Sequence, residues 1–112
     1  MKKILSFSLV IFLSFSVSVA VNAADKPDGK ALYGKHCKMC HGEDGKGNDK
    51  MAKSIKVDAL KLNLVKEETR SKKDGELAKI ISDGLPKMKG FKGKLTKEEI
   101  DSIVKYLRFL QK

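Results

Sequence analysis

The chain has 112 residues and a formal net charge of +10, from 24 Lys and Arg against 14 Asp and Glu. That length fits one domain and excludes several. The basic balance invites a nucleic-acid reading. Aromatic residues make up only 6% of the chain and few are interleaved with its lysines, so that partner is a poor fit.

Lys2 and Lys3 form a positive start, and Ile4 to Val21 is uncharged and mostly apolar. Val21-Asn22-Ala23 then offers small residues where a signal peptidase reads. The pattern predicts a cleavable signal peptide over 1–23 and a mature domain over 24–112. It also predicts a periplasmic protein with no stable membrane insertion after cleavage. An uncleaved anchor is the alternative, since the apolar run is long enough to span. No cysteine ends the run, which argues against a lipoprotein. The remaining domain is marginal by its own core, and domains of that size usually need a staple.

Pro27 and Asp28 predict the start of a helix reaching about Lys38. Gly29 and Tyr33, four apart, share one face. Having no side chain, Gly29 would admit a second helix closely; otherwise it is only an early-turn residue.

Cys37-Lys38-Met39-Cys40-His41 reads C-x-x-C-H, the attachment pattern of a c-type haem. Two thiols must reach the vinyl groups on one porphyrin edge, and two intervening residues turn the chain so that both face it. His41 can then bind iron from one side. A thiol–disulfide motif also uses C-x-x-C, but beside a βαβ pattern, whereas this chain reads helical. Zinc needs four ligands, and the only other histidine is His36, next to Cys37. With both cysteines engaged, no disulfide is available, and a buried haem would supply the missing apolar surface.

Gly42 to Lys50 is glycine-rich and predicts a loop. No G-K-[ST] follows it, so a phosphate cradle is a weak reading. Met51 to Ile55 predicts one short helical turn. Val57, Leu60, Leu62 and Leu64 alternate with polar residues, and a loop laying leucines on a haem face fits better than a strand. Lys66 to Lys73 is charged and predicts at most a turn. Asp74 is the expected N-cap of a helix with Leu77, Ile80 and Ile81 inward, ended by Gly84. Leu85 to Phe91 is expected as an extended loop. Thr96-Lys97-Glu98-Glu99 predicts a capping box, and the last helix carries Ile100, Ile103, Val104, Leu107 and Leu110 at helical spacing.

Haem iron commonly takes Met or His as its second axial ligand. Met39 lies between the cysteines and should point away. Met88 lies in a proline-containing loop between two helices, far enough along the chain to return over the opposite haem face. Buried methionines are more often plain core, and Met51 and then His36 are the competing ligands.

At this point the chain resembles the small bacterial monohaem class I cytochromes c over essentially all of residues 27–112. The resemblance rests on Gly29 and Tyr33 before the motif, then Cys37-x-x-Cys40-His41-Gly42 and Asp44-Gly45-Lys46-Gly47. It continues through Met88, Gly90-Phe91 and Leu95, and ends at Ile103-x-x-Tyr106-Leu107-Arg108. It implies an all-α fold of about three to five helices wrapped around one covalent haem, with the first and last helices crossing. One haem c per chain is implied, attached through Cys37 and Cys40, with iron held by His41 and Met88.

Two departures concern stiff anchors. Lys50 stands where many members have Pro just before the equivalent of Met51, and a carbonyl near that place usually orients the ligand histidine. Lys89 stands where many have Pro directly after the axial Met, while Pro86 precedes it here.

The expected function is one-electron transfer between periplasmic or membrane-bound redox partners, by a non-enzymatic monomer. Glu67–Glu68 and Glu98–Glu99 are adjacent pairs that point apart on a helix and offer no acid–base site. Lys87, Lys89, Lys92, Lys94 and Lys97 predict a basic collar for a partner with an acidic docking surface. A solvated charge run is the bland reading of the same lysines. The alternatives are a haem-based small-molecule sensor or peroxidase-like protein with a labile sixth ligand, or a membrane-tethered cytochrome subunit.

Overall fold

The computed structural model describes residues 10–17 and 26–112. Residues 10–17 carry no regular secondary structure. The expected cleavage after Ala23 and the domain boundary at 24 lie outside the described residues. Among the described residues no helix is long and apolar enough to cross a membrane.

The fold is all-α, and among the described residues no strand is present. Among the described residues six α-helical segments occur: α1 Gly29–His36, α2 Lys38–His41, α3 Asp49–Ile55, α4 Glu67–Arg70, α5 Asp74–Asp83 and α6 Lys97–Leu110. A 3₁₀ turn spans Ala59–Leu62. Because α2 and α4 are single turns, the longer helices number within the expected three to five.

Helix α1 starts where Asp28 accepts the N–H groups of Lys30 and Ala31. It ends at His36, close to the expected Lys38; the Cys37 N–H still bonds the Tyr33 carbonyl, and α2 follows from Lys38. Helix α3 spans seven residues, and Asn48 caps it by accepting the N–H of Met51. The expected single turn is therefore too short, since the glycines before Asn48 masked its cap. Leu62 is buried and Leu60 exposed, so the leucines between Val57 and Leu64 form a loop around a 3₁₀ turn.

Helix α5 is capped at Lys73, not at the expected Asp74. Asp74 lies in the first turn and takes a hydrogen bond from Arg108 at 2.8 Å instead. Leu77 and Ile81 are buried, and Gly84 ends the helix at φ 77°. The capping box of α6 is present, with Thr96 and Glu99 each bonding the other's backbone N–H. Ile100, Ile103, Val104 and Leu107 form the buried stripe of α6.

Helices α1 and α6 make the main packing of the fold, and α5 lies beside α6. At the crossing a Cβ on Gly29 would stand 2.0 Å from the Ser102 carbonyl oxygen and 3.3 Å from Tyr106 Cβ. Tyr33, 2% exposed, meets the Tyr106 ring at a tilt of 59° with centroids 5.3 Å apart. The first-turn glycine thus serves a close approach of backbones.

Gly29→Val is expected to destabilise the protein by about 1–3 kcal/mol, because its obstacle is backbone that cannot rotate aside. Gly34 lies in the same helix with nothing within 4 Å of a Cβ. Gly34→Ala should be neutral or stabilise by up to about 1 kcal/mol, through helix propensity. Urea denaturation of both variants checks the pair.

Candidate haem-binding site

The turn from α1 into α2 sets the first three candidate residues. Cys37 ends α1, and its carbonyl accepts the N–H groups of Cys40 and His41 at 3.2 and 3.0 Å. Both thiols are free; Cys37 is buried and Cys40 half-buried. Burial pushes the Cys37 thiol up to about 11, with the Cys40 charge adding to it. Redox C-x-x-C motifs need a lowered thiol, so this environment disfavours thiolate chemistry. Among the described residues no three His, Cys, Asp or Glu side chains gather as a metal site, which disfavours zinc.

His41 is buried at 9% exposure. Its Nδ1 lies 2.9 Å from the Leu62 carbonyl oxygen. A carbonyl only accepts, so Nδ1 carries the proton and Nε2 keeps the lone pair of the neutral ring. Burial lowers the His41 pKa, opposed by the Leu62 hydrogen bond. Nε2 has no hydrogen-bond partner among the described residues. The orienting carbonyl is therefore that of Leu62, not of Lys50 as the sequence suggested. No sequence signal marks it, because every residue has a carbonyl and this one lies 21 residues away.

The loop after His41 folds back on the motif. Gly47 N–H bonds the His41 carbonyl at 2.7 Å, and Asn48 N–H bonds that of Cys40 at 3.0 Å. Gly42, Gly45 and Gly47 all have positive φ, which glycine adopts without strain. The Tyr33 hydroxyl donates to the Gly42 carbonyl at 2.6 Å. Burial is the main cause that raises the Tyr33 pKa, so it stays a donor. This second role for Tyr33, beyond helix packing, was missed in the sequence.

Met88 is half-buried against the cluster that contains Cys37, Ile81 and Phe91. Its loop is a tight turn, not the extended segment expected. Leu85 and Met88 exchange both backbone hydrogen bonds at 2.9 Å, with Pro86 and Lys87 at the corner. Met39 is 70% exposed. Met51 lies on α3 outside the cluster. The His36 ring meets Phe91 edge-on at 5.3 Å. Of the competing methionines, Met88 is the one that packs against the cluster with Cys37, while His36 touches that cluster at Phe91.

Residues 24–107 match the family model of cytochrome C oxidase, cbb3-type, subunit III. The chain belongs to this family of c-type cytochromes. A solved structure described as KustC0563 c-type cytochrome is similar to it, at 33% identity and a TM-score of 0.63. The likeness covers 76% of this chain and 99% of that one. No curated protein matches the sequence.

The family implies covalently bound haem c and haem-based electron transfer. The donor set of this cytochrome fits that group: two free thiols spaced by two residues, then a neutral imidazole with Nε2 unused.

The basic collar is exposed at Lys87, Lys89, Lys92, Lys94 and Lys97. Lys97 is compromised by Asp101, whose carboxylate lies 3.0 Å from its ammonium. Among the described residues the other four have no acidic partner within salt-bridge distance. The neighbouring Lys89 ammonium holds Lys94 below the usual lysine range. Lys89 and Lys94 are thus neighbours with mutually repelling charges.

Tyr33→Phe is expected to destabilise the cytochrome by about 1–2 kcal/mol, since the Gly42 carbonyl loses its short donor. Thermal unfolding checks the magnitude. A change within error would mean that water replaces the hydroxyl at no cost.

Proposed function

We propose that this cytochrome is a soluble periplasmic one-electron carrier, released from its signal peptide after Ala23. One haem c is attached through Cys37 and Cys40, with iron held between His41 and Met88. The observation that carries this reading is the His41 ring: Nδ1 is committed to the Leu62 carbonyl, which leaves Nε2 as the donor. Haem c supplies an iron that accepts and returns a single electron.

The chain's own residues do the rest. Cys37 and Cys40 fix the porphyrin edge, and the Leu62 carbonyl fixes the ring orientation and basicity of His41. Met88 would hold the iron as the second side chain, through a soft thioether that would raise the potential. With His41 and Met88 both holding the iron, no position would be left for a substrate, which supports reading the protein as a carrier.

The mature protein is expected to weigh one haem more than its polypeptide. Met88→Ala should abolish the sulfur-to-iron charge-transfer absorption, lower the potential and open the iron to carbon monoxide. Met51→Ala should leave all three unchanged. The opposite pattern moves the ligand to Met51. Carbon monoxide binding by the unaltered protein would favour a sensor or peroxidase-like protein.

Lys87, Lys89, Lys92 and Lys94 form an exposed positive surface that would steer an acidic redox partner, raising the association rate more than the affinity. Changing Lys87, Lys89 and Lys92 to Glu is expected to slow second-order electron transfer to the physiological partner without altering the spectrum. Raising ionic strength should slow the unaltered protein far more than the triple variant. Stopped-flow kinetics across salt checks both, and rates indifferent to salt would reduce the lysines to a solubilising face.

A second reading is favoured by the family match, whose description is that of an oxidase subunit. In it the cytochrome docks within a membrane redox complex as one of its parts. Fractionation separates the two readings: a carrier is recovered in the periplasmic fraction, a subunit with the membranes.

A further inference from the structure

A second concentrated polar assembly gathers at the end of α6, away from the thiols. Arg108 Nε donates to Asp74 Oδ1 at 2.8 Å, and Nη1 to the Arg70 carbonyl at 3.1 Å. Nη1 also donates to Gln111 Oε1 at 2.8 Å, and Nη2 to the Lys72 carbonyl. Gln111 is only 5% exposed, and its Nε2 donates to the Leu64 carbonyl at 2.8 Å. Arg108 has only donors to offer, so it fixes the amide: oxygen toward the guanidinium, nitrogen toward Leu64.

Leu64 lies two residues beyond the carbonyl that orients His41. Its own N–H donates to the Gly45 carbonyl at 2.6 Å. The stretch from Leu62 to Leu64 is thus gripped from both sides, by the loop that follows the haem motif and by α6. The N–H of Asn63 is spent on Leu60, and its side-chain oxygen on the Val65 N–H. The described bonds of Asn63 are local, so among the described residues Gln111 supplies the hydrogen-bond tie between this stretch and the end of α6, beside the apolar packing of Leu64.

We propose that Gln111, oriented by Arg108, is a positioning residue for His41. It sets how firmly the Leu62 carbonyl holds Nδ1–H, and through that bond how strongly Nε2 donates to iron. This inference rests on the reading of His41 as an axial ligand. A carbonyl pulling on Nδ1–H makes the imidazole more basic, which favours the more highly charged ferric iron and lowers the potential. Releasing Leu64 lets the carbonyl drift, weakens the donation and raises the potential.

The test uses the mature haem-loaded protein and Gln111→Met, which keeps bulk and neutrality but has neither amide group. Thr96→Ala is the control, because it removes the capping box of α6 at the end remote from Leu62. The readouts are the reduction potential and the exchange rate of the His41 Nδ1 proton, followed by NMR in the reduced state. Gln111→Met is expected to raise the potential and speed exchange about tenfold, as for the loss of roughly one hydrogen bond. Thr96→Ala should move neither. Arg108→Lys keeps the charge but loses the orienting fork, and should shift both readouts the same way by less. It decides the matter where Gln111→Met fails to mature.

Unchanged readouts in the Gln111 and Arg108 variants, or equal changes in Thr96→Ala, would overturn the inference. His41 ring protons without paramagnetic shifts in the oxidised protein would instead overturn the ligand reading beneath it.

Discussion

The close crossing of α1 on α6 is the contact on which the site depends. Gly29 lets the α1 backbone settle against the Ser102 carbonyl, and that seats Tyr33 beside Tyr106. From there the Tyr33 hydroxyl reaches the Gly42 carbonyl, one residue past His41. The far end of α6 reaches the other side of the same site, where Gln111 holds Leu64. One helix therefore braces both the chain that follows the histidine and the segment whose carbonyl orients it. The candidate ligand is held by a rigid element at two removes, which is more precise than a loop alone would be.

The electrostatics divide along the same line. Around the motif, burial keeps groups neutral: the Cys37 thiol is raised and the His41 pKa lowered. A neutral imidazole is the form that binds a metal. The lysines beyond Met88 are exposed, where water screens them and partners can meet them. Lys97 is an exception within that set, since Asp101 lies one helical turn away and pairs with it. An exposed pair of that kind adds little to stability. Its consequence is to move the centre of positive charge toward Lys87, Lys89 and Lys92.

Much of this was legible in the sequence because the signals were local. C-x-x-C-H, the Thr96–Glu99 capping box and the apolar stripe of α6 each occupy one short window. The Gly29–Tyr33 face was legible too, although its partner helix came from resemblance and not from spacing. What escaped was set by contacts distant along the chain. Asp74 has the chemistry of a cap, yet Arg108 claims its carboxylate, and Lys73 takes the cap position without a side-chain bond. The Leu62 carbonyl replaced the expected Lys50 carbonyl because backbone acceptors carry no sequence mark. Asn48 did carry a mark, hidden by the glycines before it.

The turn around Met88 shows how a missing proline is replaced by other means. A proline after the methionine would stiffen the chain through its fixed φ. Lys89 stands there, and the stiffness comes from the neck of the loop. A Cβ on Gly84 would stand 2.5 Å from the Met88 carbonyl oxygen, and one on Gly90 2.7 Å from the Asp83 carbonyl. The two glycines let the strands of the loop touch backbone to backbone. Beyond the neck, Phe91 and Lys92 N–H bond the carbonyls of Ile81 and Ser82, each at 3.0 Å. The base of the loop is thereby locked to the last turn of α5, while the Leu85–Met88 exchange closes its tip. Pro86 then acts at the corner, where a preset φ favours the turn. The Met88 thioether is therefore carried on a closed tip with a pinned base, and hydrogen bonds take up freedom that a proline would otherwise remove.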